Sequence, residues 1–492
     1  MGARVVVVGG GMAGLAAAHD LLRTRPDLDL VLLDGSDRPG GKARRVEVGG
    51  IGIDVGAESV LTSSTHAARL ADELGLRERL VHPEPVAAAL WTRGALHPMP
   101  AGTFMGVPGS SAALAGPLTD DEVARTAAPR VPAASEDDRS IADAVGATFG
   151  PAVVDRVVEP ILGGVYAGRV EQLSVQAAMP ALWPAVRDGA PLSTAVDALL
   201  PDPSDPPRPP RLIGLDGGIT TLAEHLTAAI TAAGGRILTG TLARELHRTP
   251  TGWRVVSGPT TDPVAHDADA VVLATPAAPT AWLLTEHSPD ASRALAAIEH
   301  ASMAVVALAL PRTAATTALP GSGFLVPAVD GRAIKAATFI TAKWAWAERE
   351  AARQDVILVR ASMGRAGDVT TLQRDDGDLV RDAVADIGAA LGRDLPDPVD
   401  AHVQRWGGGL PQYTVGHRDR IDRVRAAVAD LPGLEVAGAA YDGVGIAAVL
   451  GTADQAVRGV LDALPATSDR TTATPTTTAT ATTAITTTEE TR

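Results

Sequence analysis

Three glycines at fixed spacing carry the clearest chemistry in this chain. Val5-Val6-Val7-Val8 runs into Gly9-Gly10-Gly11-Met12-Ala13-Gly14, and an Ala/Leu-rich stretch follows. This is G-x-G-x-x-G after an apolar strand and at the start of a helix. Gly9 permits a tight turn, Gly11 lets a pyrophosphate approach the backbone, and Gly14 lets the helix pack on the strand. The helix start offers unpaired N–H groups and the positive end of its dipole to phosphate. Asp34-Gly35 ends the next apolar run, residues 30–33, about 20 residues past Gly14, where an acid accepts from a ribose hydroxyl. The combination points to a bound dinucleotide.

A second glycine-rich stretch follows at once: Asp37-Arg38-Pro39-Gly40-Gly41-Lys42-Ala43. It provides backbone that can close over the cofactor, which FAD needs and NAD does not. Gly56-Ala57-Glu58-Ser59 gives another close approach after a further strand. Both stretches also read as ordinary glycine turns. Near the C-terminus an apolar run, residues 434–438, leads into Asp442-Gly443-Val444-Gly445-Ile446 and a helical pattern. A helix start there can face the pyrimidine edge of a flavin and stabilise negative charge on it. The alternative is a plain strand–turn–helix.

These motifs need a large scaffold, and the chain has one: 492 residues, 46 % of them apolar, enough for two or three packed domains. The net charge of −15 argues against nucleic acid or anionic lipid as a partner. With no cysteine, disulfides, thiolate metal sites and a cysteine-linked flavin are excluded. The histidines form no H-x-x-x-H or H-E-x-x-H pattern, so no metal site is expected. No G-x-S-x-G surrounds Ser63-Ser64. No apolar run reaches the roughly 18 residues of a membrane span, and a cytoplasmic location is expected.

The elements that must position the motifs alternate along the chain. Residues 4–60 read as strand, turn, helix, strand and glycine loop. Helical patterns at 66–76 and 141–157 are broken by Pro- and Gly-rich loops, and residues 201–210 form a proline-rich connector. A helix near 221–233, strands near 242–246 and 253–256, and a buried strand at 270–274 follow. Residues 300–365 alternate like antiparallel strands, with helices expected at 376–391 and 421–428. The Thr/Ala-rich stretch 467–492 lacks a periodic apolar face and reads as a disordered tail.

The motifs together resemble the FAD-dependent porphyrinogen oxidases of heme synthesis in their soluble bacterial form. The likeness is strongest to the coproporphyrinogen III oxidase branch of Gram-positive bacteria, and protoporphyrinogen oxidase is close. It rests on residues 6–14, 34–43 and 54–59, on Glu159-Pro-Ile-Leu-Gly-Gly-Val-Tyr-Ala-Gly168, and on 215–218. It also rests on Ile334-Lys-Ala-Ala-Thr-Phe339 with Lys343-Trp344, on Gln404-Arg-Trp-Gly-Gly-Gly-Leu-Pro-Gln-Tyr413, and on 437–446. The stretches 159–168 and 404–413 are not general flavoprotein motifs, and they narrow the family.

The resemblance implies an α/β fold of the amine oxidase and p-hydroxybenzoate hydroxylase kind. A Rossmann-type FAD domain would take 1–60, 211–275 and 400–466, and an antiparallel substrate domain 276–399. A helical insertion, 61–200, would cap the substrate cavity. By the same resemblance Leu242 and Trp406 line the FAD site, Val444, Gly445 and Ile446 contact the flavin, and Gly164 and Tyr166 border the substrate. It implies FAD held non-covalently and oxidation of coproporphyrinogen III to coproporphyrin III by molecular oxygen, with hydrogen peroxide released. Protoporphyrinogen IX oxidation, or amine oxidase or desaturase chemistry on the same scaffold, is the alternative, as is a non-catalytic binding protein. One departure stands out: Leu61-Thr62-Ser63-Ser64-Thr65-His66 carries no Arg or Lys where relatives often have a cation for substrate carboxylates.

Overall fold

The computed structural model describes residues 2–62, 64–131, 133–202 and 210–465. The tail expectation and most of the proline-rich connector lie outside the described residues. At the centre is a five-stranded parallel sheet in the order Arg236–Leu238, Asp29–Leu33, Arg4–Val8, Ala270–Leu273, Leu434–Val436. Val5 stands in register with both Leu30 and Ala270. The strands read as continuous apolar runs because both faces are covered. Val5, Val7, Leu30 and Leu32 pack beneath the helices Met12–Thr24, Thr220–Ala232 and Ile446–Ala463. Val6, Val8, Val31 and Leu33 pack on the other side. Their partners come from the three-stranded sheet Ala243–Thr249, Gly252–Ser257, Val264–Ala268 and the helices Ala277–Leu284, Pro289–Ala296 and His417–Ala429.

The second large sheet has seven strands: Asp400–Pro411, His300–Pro311, Val356–Met363, Ile334–Phe339, Gly323–Leu325, Ala88–Thr92, Ala95–Pro98. All neighbours are antiparallel except Gly323–Leu325 with Ala88–Thr92. One face carries the helix Asp376–Leu391, and the other packs on Ile51, Ile53, Trp344 and Trp346.

Three expectations need correction. Residues 61–200 are not purely helical: the hairpin Ala88–Thr92/Ala95–Pro98 extends the seven-stranded sheet. Its strands are too short to show a period above the noise of an Ala-rich stretch. Residues 400–411 belong to that same sheet, paired along His300–Pro311, so the strand leaves the nucleotide-type segment to which the sequence assigned it. The expected helix 141–157 also breaks. Ile141–Phe149 ends at Gly150 (φ 92°), and the chain restarts at Pro151, widens into an i→i+5 turn over Val154–Val158, and continues as Glu159–Tyr166. These helices bury a core of their own, including Val157, Leu162, Tyr166 and Val196.

Candidate cofactor and active site

The glycine loop leaves Arg4–Val8 at Gly9, whose φ of 107° suits glycine. A Cβ on Gly9 would lie 2.6 Å from the Ala274 carbonyl oxygen, and one on Gly14 would collide with the Gly9 carbonyl. At Gly11 a Cβ would meet nothing within 4 Å. Gly9 and Gly14 therefore serve the fold, and Gly11 faces open space. The helix Met12–Thr24 starts at Gly11 with no side-chain cap and no acid in its first turn. Met12 and Ala13 are buried against the core, so this helix start offers backbone alone. An uncapped helix start beside an open glycine is a cradle that fits a pyrophosphate.

Asp34 does more than the sequence implied. Its Oδ2 accepts the Gly10 N–H at 2.6 Å, and its Oδ1 accepts the Ser36 N–H at 2.7 Å and the Ser36 hydroxyl. The acid thus clamps the first glycine loop to the end of its own strand. The Asp34 backbone also bonds to Leu238 and Thr241, which brings Leu242 over Gly35. The Leu242 methyl would be 3.2 Å from a Cβ on Gly35, yet Leu242 is 61 % exposed. An apolar side chain left open at this rim suits the flat face of an adenine.

The second glycine stretch folds back on the first. Gly40 donates to the Gly10 carbonyl at 2.7 Å, and a Cβ on Gly41 would stand 3.0 Å from the Gly11 Cα. The Lys42 carbonyl accepts the Ala57 N–H at 3.0 Å, and a Cβ on Gly56 would strike that carbonyl and approach the Trp406 ring at 3.2 Å. Trp406 in turn donates its indole N–H to the Val55 carbonyl. Four distant segments therefore converge, as the motifs required. Burial lowers the Lys42 ammonium, and no described residue pairs with it.

Glu58 is committed elsewhere. It accepts the Trp344 indole N–H at 2.5 Å and pairs with Lys343 at 2.9 Å and with Arg360. Burial would raise its carboxyl, but Arg360 and Lys343 outweigh that and hold it at about 2. Arg360 also donates to the Asp54 and Gly56 carbonyls at 2.9 and 3.2 Å, so the cluster braces the loop that carries Gly56 and Ala57. Ser59 follows, half-buried.

At the far end of the sheet, Gly445 caps the helix Ile446–Ala463 without a side-chain bond, and its first turn again holds no acid. Ile446 packs into the core under the parallel sheet, and Val444 packs on the helical core, so this turn is the seam between the two. Gly164 is exposed on the helix Glu159–Tyr166. Tyr166 is buried among aromatics: its ring is 5.5 Å from Tyr413, which stacks on His417 at 3.9 Å. Burial pushes the Tyr166 hydroxyl up to about 12. Its neighbours make it a core residue behind the surface that Gly164 presents. Among the described residues one group has metal-ligand geometry, His19 with Asp20 and Glu73, but Arg69 and Arg23 already pair with those carboxylates.

Sequence reasoning missed the Glu58–Lys343–Arg360 cluster, the Tyr413–His417 stack and the charged group Glu159, Lys335 and Arg365. Stretches 159–168, 334–344 and 404–413 were singled out as motifs, but no spacing rule joins an acid to bases some 300 residues away.

The geometry agrees with comparisons against known proteins. A family model described as flavin containing amine oxidoreductase matches residues 12–461. A coproporphyrinogen III oxidase of Mycobacterium leprae is 36 % identical, covering 92 % of this chain and 97 % of that protein. One from Bacillus subtilis is 30 % identical, covering 94 % and 97 %. A solved structure from an Exiguobacterium species, named for protoporphyrinogen oxidase, superposes with a TM-score of 0.78 at 30 % identity, covering 94 % and 99 %. With its paired glycine loops, clamping acid and two uncapped helix starts in place, this chain belongs to the flavin containing amine oxidoreductase family and is an FAD-dependent oxidoreductase.

Proposed function

We propose that the protein oxidises coproporphyrinogen III to coproporphyrin III with molecular oxygen, releasing hydrogen peroxide, in porphyrin synthesis. The observation that carries this reading is 36 % identity to a coproporphyrinogen III oxidase over 92 % of this chain and 97 % of that protein. Bound FAD supplies two-electron acceptance and reoxidation by oxygen. The chain's own residues bind and orient. The N–H groups at residues 11–14 hold the pyrophosphate, Asp34 the ribose and Leu242 the adenine. Gly41, Lys42, Gly56, Ala57 and Trp406 close over the middle of the cofactor, held non-covalently. Val444, Gly445 and Ile446 face the pyrimidine edge, where the helix dipole favours negative charge. Exposed Gly164 lets the flat macrocycle approach the backbone of its helix.

In this reading the nucleotide-binding part takes residues 1–60, 211–275 and 412–465, and the seven-stranded sheet backs the substrate. No described helix is long and apolar enough to cross a membrane, and the proposed location is the cytoplasm. The solved relative's name favours a second reading, protoporphyrinogen IX as substrate. Turnover on both porphyrinogens under identical oxygen separates them. Higher kcat/KM with the coproporphyrinogen is expected; equal or better use of protoporphyrinogen IX moves the assignment, and no turnover of either by FAD-loaded protein overturns it.

A further inference from the structure

A porphyrinogen bearing propionates needs cations, and the stretch 61–66 offers none. Arg69, on the next helical turn, is spent on Asp20 and Glu73. A cation without a partner lies elsewhere. Lys335 is 2 % exposed, and its ammonium has no hydrogen-bond partner among the described residues. It sits where the strand Ile334–Phe339 slips register against Val356–Met363, between Ile334 and Ala336. Such a bulge re-aims a side chain. Ile334, Ala337 and Phe339 stay in the core beneath the helix Asp376–Leu391. The charged neighbours of Lys335 are Arg365 and Glu159, the latter the first residue of the helix that carries Gly164.

The cluster is unbalanced. Glu159 accepts the Ala328 N–H at 2.9 Å and pairs with Arg365 at 3.3 Å, so its carboxylate is taken. Arg365 also donates to the Val326 carbonyl at 2.7 Å, and the Val326 N–H donates to the Lys335 carbonyl at 2.9 Å. Two cations and one carboxylate therefore share a buried space. Burial and the Arg365 charge push the Lys335 ammonium down to about 7, against the pull of Glu159. An unpaired buried ammonium is costly, and a second carboxylate would satisfy it. The substrate face lies alongside: Leu325 stands opposite Ala336 in register, and its side chain would be 3.6 Å from a Cβ on Gly164.

We propose that Lys335, with Arg365 beside it, forms a buried carboxylate-binding subsite that takes one propionate of the macrocycle. The subsite rests on the porphyrinogen reading above for the identity of its ligand.

Its test uses FAD-loaded enzyme and coproporphyrin III, titrated by fluorescence quenching against wild type, Lys335→Met and Lys335→Arg. Lys335→Met should bind about tenfold more weakly or worse, and Lys335→Arg should bind nearly as wild type. In turnover, Lys335→Met should raise KM far more than it lowers kcat. FAD content and Tm should hold or rise, because the variant removes a buried unpaired charge. Equal coproporphyrin affinity in wild type and Lys335→Met overturns the subsite. A second arm needs no porphyrin and no foldable methionine variant. Sodium propionate, against sodium chloride at equal ionic strength, should raise the Tm of wild type more than that of Lys335→Gln. If wild type ignores coproporphyrin yet keeps this propionate-specific shift, the porphyrinogen reading falls and the carboxylate subsite stands. Loss of both overturns the subsite as well.

Discussion

Trp406 donates its indole N–H to the Val55 carbonyl at 2.9 Å, across 351 positions of sequence. That bond fastens the long strand Asp400–Pro411 of one sheet to the loop holding Gly56, which serves the other. Replacing Trp406 by Ala should leave the Val55 carbonyl unpaired and open the wall behind Gly56. The cost of the lost bond alone is about 1 kcal/mol. We expect purified Trp406→Ala to retain clearly less FAD per chain, with Trp406→Phe between it and wild type. Full flavin occupancy in Trp406→Ala, with an unchanged dissociation constant, would place the wall elsewhere.

Gly11 and Gly14 should separate binding from folding. A methyl at Gly11 meets open space, and one at Gly14 meets the Gly9 carbonyl. Gly11→Ala should therefore fold with an apoprotein Tm close to wild type and bind FAD weakly. Gly14→Ala should lose stability before affinity can be measured. The reverse pattern in thermal melts and flavin titrations would contradict the assigned roles.

Asp34→Asn is expected to weaken FAD affinity and also to loosen the first loop, because both carboxylate oxygens are in use. Hydrogen exchange at Gly10 and Ser36 reports the second effect independently of cofactor. Unaltered protection at both amides would leave Asp34 with only the ribose role.

Two groups lose their contributions to stability in acid, each in its own window. Burial lowers the His417 imidazole from 6.5 to about 4, so the unfolded chain binds a proton there that the folded chain refuses. Its contribution is present above pH 6.5 and is lost as pH falls through about 4. Glu58 is held at about 2 against an ordinary 4.5, so its contribution is present above pH 4.5 and fades towards 2. Asp54 and Glu435, raised by burial to about 6 and about 7, gain stability as pH falls through the upper window, so chemical denaturation across pH must compare wild type with His417→Phe and Glu58→Gln to isolate each contribution. In Glu58→Gln the lower drop should shrink; a drop of unchanged size would remove Glu58 from the account.

The parts of the site legible in sequence are those built from consecutive residues. The loop from Gly9 to Gly14, Asp34 at a strand end and the start of the final helix each obey a local rule, and the structure sets all three beyond the C-terminal ends of the parallel strands. Long periodic elements were also readable: the helix Asp376–Leu391 lies where the pattern put it. The hairpin at Ala88–Thr92 was not, because alanine is apolar enough for either period and two short strands declare themselves only through their neighbours. The same holds for Glu58 and Arg360. Each is an unremarkable charge until folding sets them together across 302 positions.

The helices that start at Gly11 and at Gly445 each begin without a capping side chain for their first amides. Until a ligand arrives, water must serve those donors, and the loops around them are held mainly by one another. Flavin supply then becomes a term in the protein's lifetime. Stability should climb with the logarithm of free FAD above its dissociation constant. Cells short of riboflavin should hold fewer copies of this chain at unchanged transcript, through faster turnover of the flavin-free form.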